Sequence, residues 1–154
     1  PRSFPSAPAQ VLQDPADSTP FAHSREPGDP RPWEPLEEHL YRVAEWAARF
    51  ADAFGSSDWG EVAGRWHDVG KYRPEFQARI RGARILAPHA SAGAALAVEH
   101  ELEPVASVIA GHHAGLANMI EPCEGGPLPL REVLREGRDV LAAIRDRVPA
   151  GLRS

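Results

Sequence analysis

From Pro35 onward the apolar residues of this chain recur three and four positions apart, and nowhere do they alternate convincingly with polar ones. That period is helical, so the chain is expected to be all-α, about six helices around a single core. Pro35 suits a first helical position; Leu36, Leu40, Val43, Ala47, Phe50 and Phe54 then fall at helical spacing before Gly55 closes the element. Asp58 and Glu61 have capping-box spacing ahead of a second helix carrying Trp59, Val62, Ala63 and Trp66 on one face, fraying near Gly70. Further helices are predicted from Pro74 to about Arg81, from Ser91 to about His100, from Pro104 towards His112, and through Leu130, Val133, Leu134, Leu141 and Ile144. The stretch from Ala114 to Pro129, with Gly125-Gly126, reads as a loop.

The chain's 154 residues suffice for one domain with a core of its own. Nine of the 16 prolines fall in the first 35 residues, so residues 1–20 are expected to be a flexible leader. Residues Phe21 to Trp33 look irregular but hold aromatic anchors and His23, which favours packing on the body. A single cysteine, Cys123, excludes an internal disulfide and points to a reducing, cytoplasmic setting. No apolar run is long enough for a membrane span, and none near the N-terminus resembles a signal peptide. The net charge of −5 excludes a chain that coats nucleic acid by charge alone. Charge is local, however: from Arg65 to Arg84 six basic residues (Arg65, Lys71, Arg73, Arg79, Arg81, Arg84) face two acidic ones (Asp68, Glu75). Lys71 is the sole lysine.

Seven histidines carry the chemistry: His23, His39, His67, His89, His100, His112 and His113. A lone histidine on an apolar helix is usually an ordinary core or surface residue. Taken together, His39, His67, His89, His112 and His113, with Asp68, sit at helix ends or on inner helical faces, where unpartnered imidazoles would be costly to bury. A shared divalent centre resolves that cost. Imidazole and carboxylate donors suit Mn, Fe, Co, Ni or Zn, one ion or two, while the lack of thiolates excludes a cysteine-type structural zinc site. An aspartate among imidazoles can bridge two cations, and cations about 3.5–4 Å apart stabilise both attacking and leaving oxygens in phosphoryl displacement. Cys123 has no part in this chemistry, and His100, which fits no motif, is expected at the surface.

His67-Asp68, with histidines before and after it on helices, resembles the HD superfamily of metal-dependent phosphohydrolases. Phe21-Ala22-His23-Ser24, Trp33-Glu34-Pro35-Leu36-Glu37-Glu38-His39-Leu40, Trp66-His67-Asp68-Val69-Gly70-Lys71-Tyr72-Arg73-Pro74-Glu75-Phe76-Gln77, His89-Ala90-Ser91-Ala92-Gly93-Ala94 and Ile109-Ala110-Gly111-His112-His113-Ala114-Gly115-Leu116 resemble, in order, the CRISPR-associated HD nucleases, the nuclease part of the type I interference helicase–nuclease. The likeness spans roughly residues 21–116. It implies an HD-domain helical bundle over residues 21–154. His39, His67 and Asp68 would hold one metal, and Asp68 would bridge to a second held by His89, His112 and His113. Lys71 would sit beside the centre as a catalytic group, contacting phosphate or orienting a ligand, and Arg73 and His23 would meet substrate. The implied activity is cleavage of single-stranded DNA in antiviral defence, with a superfamily 2 helicase, in the same chain or separate, and an RNA-guided CRISPR surveillance complex as partners. An HD phosphohydrolase of nucleotides or cyclic dinucleotides, or a catalytically degenerate HD binding module, is the alternative. The family's late aspartate, in an Ala-Asp-Trp-like context, has no counterpart here, since Asp139 and Asp146 lack that context; the domain is therefore expected to lack its last helices. Pro88 stands where the family often has an aspartate before the third histidine.

Overall fold

The computed structural model describes residues 19–25, 31–121 and 125–154; Cys123 and residues 1–18 of the expected leader lie outside them. Among the described residues the architecture is all-α. Helix α1 spans Leu36–Asp52, α2 Ser57–Trp66, α3 Pro74–Ile80, α4 Ala90–Glu99, α5 Glu103–Gly111, α6 Leu130–Ile144 and α7 Ala150–Arg153, with 3-10 turns at Val69–Tyr72 and Arg145–Arg147. The only pairing of extended backbone among these residues is an isolated antiparallel bridge between Phe21 and Pro35. No described helix is long and apolar enough to cross a membrane.

Helix α4 is the axis of the molecule. Every residue from Ser91 to Ala97 is buried, because a helix of alanine, glycine, serine and one leucine presents a small surface on every side. It packs against α5 and α6 and touches α2, while α1 and α2 form a hairpin of their own. Gly93 sets the closeness of one crossing: a Cβ there would lie 1.9 Å from the Trp66 carbonyl oxygen. Leu36, Leu40, Trp66, Val69, Leu96, Ile109, Leu141 and Ile144 fill the remaining core.

The six expected helices are present, and three expectations on their detail need correction. First, Phe50 and Phe54 are 69% and 75% exposed rather than inward-facing. The buried stripe of α1 runs through Leu36, His39, Leu40, Ala44 and Ala51; Phe50 lies off it, stacked on Trp46, and Phe54 follows the helix end. Trp59 is likewise half exposed, unlike Trp66. Second, no capping box forms at α2: Ser56 is the N-cap without a side-chain cap bond, and Asp58 lies inside the first turn. Third, the one-turn helix α7 follows Pro149, too short to show a period. It nonetheless buries Leu152 completely, and the Trp66 indole Nε1–H donates to the Leu152 carbonyl at 2.6 Å.

Candidate metal centre

The centre forms where α2 stops. His67 is the C-cap of α2, and Asp68 opens the 3-10 turn that follows, so the chain reverses beneath an adjacent imidazole and carboxylate. His39 comes from the inner face of α1, His89 from the N-cap of α4, and His112 from the C-cap of α5 with His113 beside it. Helix ends leave the backbone free to change direction, so side chains from four helices reach one point. Gly70 is required there, since a Cβ would lie 2.0 Å from the His89 carbonyl oxygen.

Asp68 is 3% exposed and its two oxygens face different partners. Oδ2 lies 3.0 Å from His67 Nε2 and 3.6 Å from His39 Nε2. Oδ1 lies 3.2 Å from His89 Nε2 and 3.6 Å from His112 Nε2. His113 Nε2 is 2.9 Å from His89 Nε2. Two groups of donor atoms each converge closely enough to hold an ion: His39, His67 and Asp68, and Asp68, His89, His112 and His113. The structure thus brings together the residues of the two sets that the resemblance implied, with Asp68 in both groups.

The fit to a cation rests on what is left unsatisfied. Asp68 Oδ1 and both ring nitrogens of His39 are buried with no hydrogen-bond partner, although ring nitrogens and carboxylate oxygens crowd together. Lone pairs that converge without aligned protons are arranged as ligands are. Outer contacts fix the rings: His67 Nδ1 lies 2.7 Å from the Gly64 carbonyl and His112 Nδ1 2.6 Å from the Ile109 carbonyl. In each the Nδ1–H donates to that carbonyl and turns Nε2 towards Asp68.

Electrostatics keep the carboxylate ionised. Burial alone would push the Asp68 carboxyl up, but contacts from His112, His39, His67 and His89 outweigh it and hold it well below the usual range. Burial pulls the His112 ring down, yet Asp68 and the Ile109 carbonyl raise it above the ordinary histidine value. His113 is lowered by burial and by His112 and His89, and His23 by burial, Lys71 and His39.

Lys71 sits beside the centre, as the resemblance implied, and is enclosed there. Its ammonium is buried, 2.7 Å from Asp68 Oδ2 and 2.9 Å from the Ala22 carbonyl, over the face of Phe76. With its donors committed and its side chain enclosed, it steadies Asp68 and offers no accessible contact to a phosphate. Tyr72 is buried as well, and Phe76 packs in the core edge-on to His89. Arg73 donates to the Pro88 carbonyl at 3.3 Å, next to His89. Of the other local cations, Arg65 pairs with Glu61, and Arg81 donates to Gln77 and Thr19. His23 lies exposed with its ring 4.9 Å from that of His39. His100 is at the surface as expected, bonded to the Arg153 carbonyl and packed on Trp66. Asp139 and Asp146 are exposed and join neither ligand group.

Two contributors escaped the sequence reading. Glu34 places Oε1 3.3 Å from His39 Nδ1, pairs with Arg42, and forms a third group of candidate ligand atoms with His23 and His39. Gln77 fastens the segment that carries His23. Both lie inside the motifs quoted above, but nothing local marks them, because their partners are brought near only by folding.

A helical bundle that sets one aspartate between two groups of histidines has the donors to hold divalent cations. The HD domain family model matches residues 36–146, and the chain belongs to that family. Comparison with curated proteins found no match.

Proposed function

We propose that this HD domain is a nuclease of the CRISPR-associated type. It hydrolyses phosphodiester bonds of single-stranded DNA with one or two divalent cations, delivered the strand by a superfamily 2 helicase and an RNA-guided surveillance complex. The observation that carries the reading is Asp68, each of whose oxygens faces its own pair of imidazoles. That arrangement suits a two-ion displacement at phosphorus better than a single structural ion. The ordered resemblance from Phe21 to Leu116 supplies DNA as the substrate.

His39, His67 and Asp68 would hold one ion, and Asp68, His89, His112 and His113 the other. Bound cations supply an activated water and neutralise charge on the phosphoryl oxygens. Lys71 keeps Asp68 Oδ2 in place by its 2.7 Å contact. Arg73, tied beside His89, and the exposed His23 are assigned to the incoming strand, drawn by a local surplus of arginine that includes the exposed Arg79 and Arg84.

The test is metal analysis of the purified protein together with incubation on single-stranded DNA in Mn2+, for wild type and for His67→Ala and Asp68→Ala. The expected result is bound metal and strand degradation in wild type, with degradation lost in both variants. Hydrolysis of nucleotides or cyclic dinucleotides with long strands intact would instead mark a small-phosphoester hydrolase. Protein that takes up no metal and turns over no substrate would mark a degenerate binding module.

A further inference from the structure

Residues 19–25 contain no helix, and their one backbone pairing is the Phe21–Pro35 bridge. Such a segment does not hold itself in place, yet Ala22 is fully buried. The carboxamide of Gln77, itself 8% exposed, does much of the holding. Its Oε1 accepts the Phe21 N–H at 2.9 Å and its Nε2 donates to the Phe21 carbonyl at 3.0 Å. One side chain thus satisfies both backbone groups of one residue, as a neighbouring strand would. The same Nε2 also donates to the Lys71 carbonyl at 2.8 Å, within the turn that follows Asp68. Lys71 completes the link from its other end, its ammonium joining Asp68 Oδ2 to the Ala22 carbonyl. Around this joint Ala22 N–H donates to the Glu34 carbonyl, Leu36 N–H to the Pro20 carbonyl, and Phe21 packs edge-on to Trp33.

We propose that Gln77 is a positioning residue of the metal centre: it fastens residues 20–23 to the turn that carries Asp68 and so holds His23 against His39. His39 is the ring this matters for. Glu34 Oε1 lies 3.3 Å from its Nδ1 and Asp68 Oδ2 3.6 Å from its Nε2, neither as an aligned hydrogen bond, so packing shares in fixing the ring, and His23 meets it edge-on at 4.9 Å. Gln77 touches neither ligand nor substrate; it acts through the strap. The inference rests on the proposed metal centre and adds a role to a residue outside both ligand sets.

The experiment compares wild type, Gln77→Met, His23→Ala and the double variant. Methionine keeps the volume and removes every hydrogen bond. In metal-free protein, Gln77→Met is expected to speed amide exchange at Phe21 and Ala22 by roughly tenfold or more, with α4 amides unchanged. The ring-to-ring NOE between His23 and His39 should disappear with it. In Mn2+ titrations, Gln77→Met and His23→Ala should each weaken binding by about 10- to 100-fold, the range for lost outer support of a ligand. The double variant should lose no more than Gln77→Met alone. Unchanged protection at Phe21 and Ala22 overturns the inference. So does an opened strap with undiminished Mn2+ affinity, or losses that add in the double variant. Wild-type protein that takes up no Mn2+ overturns the proposed function itself, a result distinct from a strap that stays closed in Gln77→Met.

Discussion

At the scale of single residues, Asp68 answers to four imidazoles and one ammonium, from 2.7 Å to 3.6 Å away. Replacing it by asparagine leaves the enclosed Lys71 ammonium without its counter-charge. Asp68→Asn is therefore expected to abolish metal uptake and to cost about 3–5 kcal/mol in urea unfolding, as removal of one partner of a buried ion pair does. The histidines set the pH response of metal binding. Asp68 and the Ile109 carbonyl raise His112 above the ordinary value, so the range over which a cation must displace its proton extends above the usual histidine range. Apparent Mn2+ affinity should thus rise with pH through and above the usual histidine range, and calorimetry in buffers of different ionisation enthalpy should register proton release. A pH-independent affinity across that range would contradict ligation by His112. The candidate ligand residues were legible because residue type and order along the chain are local facts. The enclosure of Lys71 and Tyr72 was not, since burial is a property of their neighbours.

At the scale of elements, close crossings made by small residues place the ligands. Gly93 lets α4 pass against the end of α2, and Gly70 lets the Asp68 turn pass against His89. Gly93→Ala puts a methyl into the Trp66 carbonyl and is expected to destabilise by about 1–3 kcal/mol, visible as a drop in Tm. Gly70→Ala should instead act on the centre, pushing His89 away from Asp68 and lowering Mn2+ affinity more than stability. Equal losses of stability in the two variants, with metal binding intact, would show that the turn and His89 are not coupled. Apolar spacing revealed helices α1 to α6 because a period of several turns leaves a long signal. Helix α7 gives none at four residues, and the exposed Phe50 shows the limit of spacing alone: it shares a helix with the buried stripe while lying off it.

At the scale of the whole molecule, the two ends of the described chain close on its middle. The strap at residues 20–23 is bound from Lys71 and Gln77, and the C-terminal turn is bound through Trp66, His100 and Arg65. Trp66 directly precedes His67, so the C-terminal turn supports the wall from which the centre is built. Leu152→Ala is expected to cost about 2–5 kcal/mol through the cavity it leaves, measured by urea unfolding. A cost near zero would mean that α7 lies loosely on the bundle.

The amino-acid sequence alone determined that the chain is helical, where its main helices run, and which histidines and aspartate are candidates for one site. Each of these depends on residue type at short spacing. Only the tertiary structure decided which oxygen of Asp68 faces which pair of rings, that Lys71 is committed to Asp68 and Ala22, and that Gln77 reaches 56 positions back to hold Phe21. The reason is physical: a side chain's partner, burial and direction are set by elements distant along the chain that come together only when the core packs.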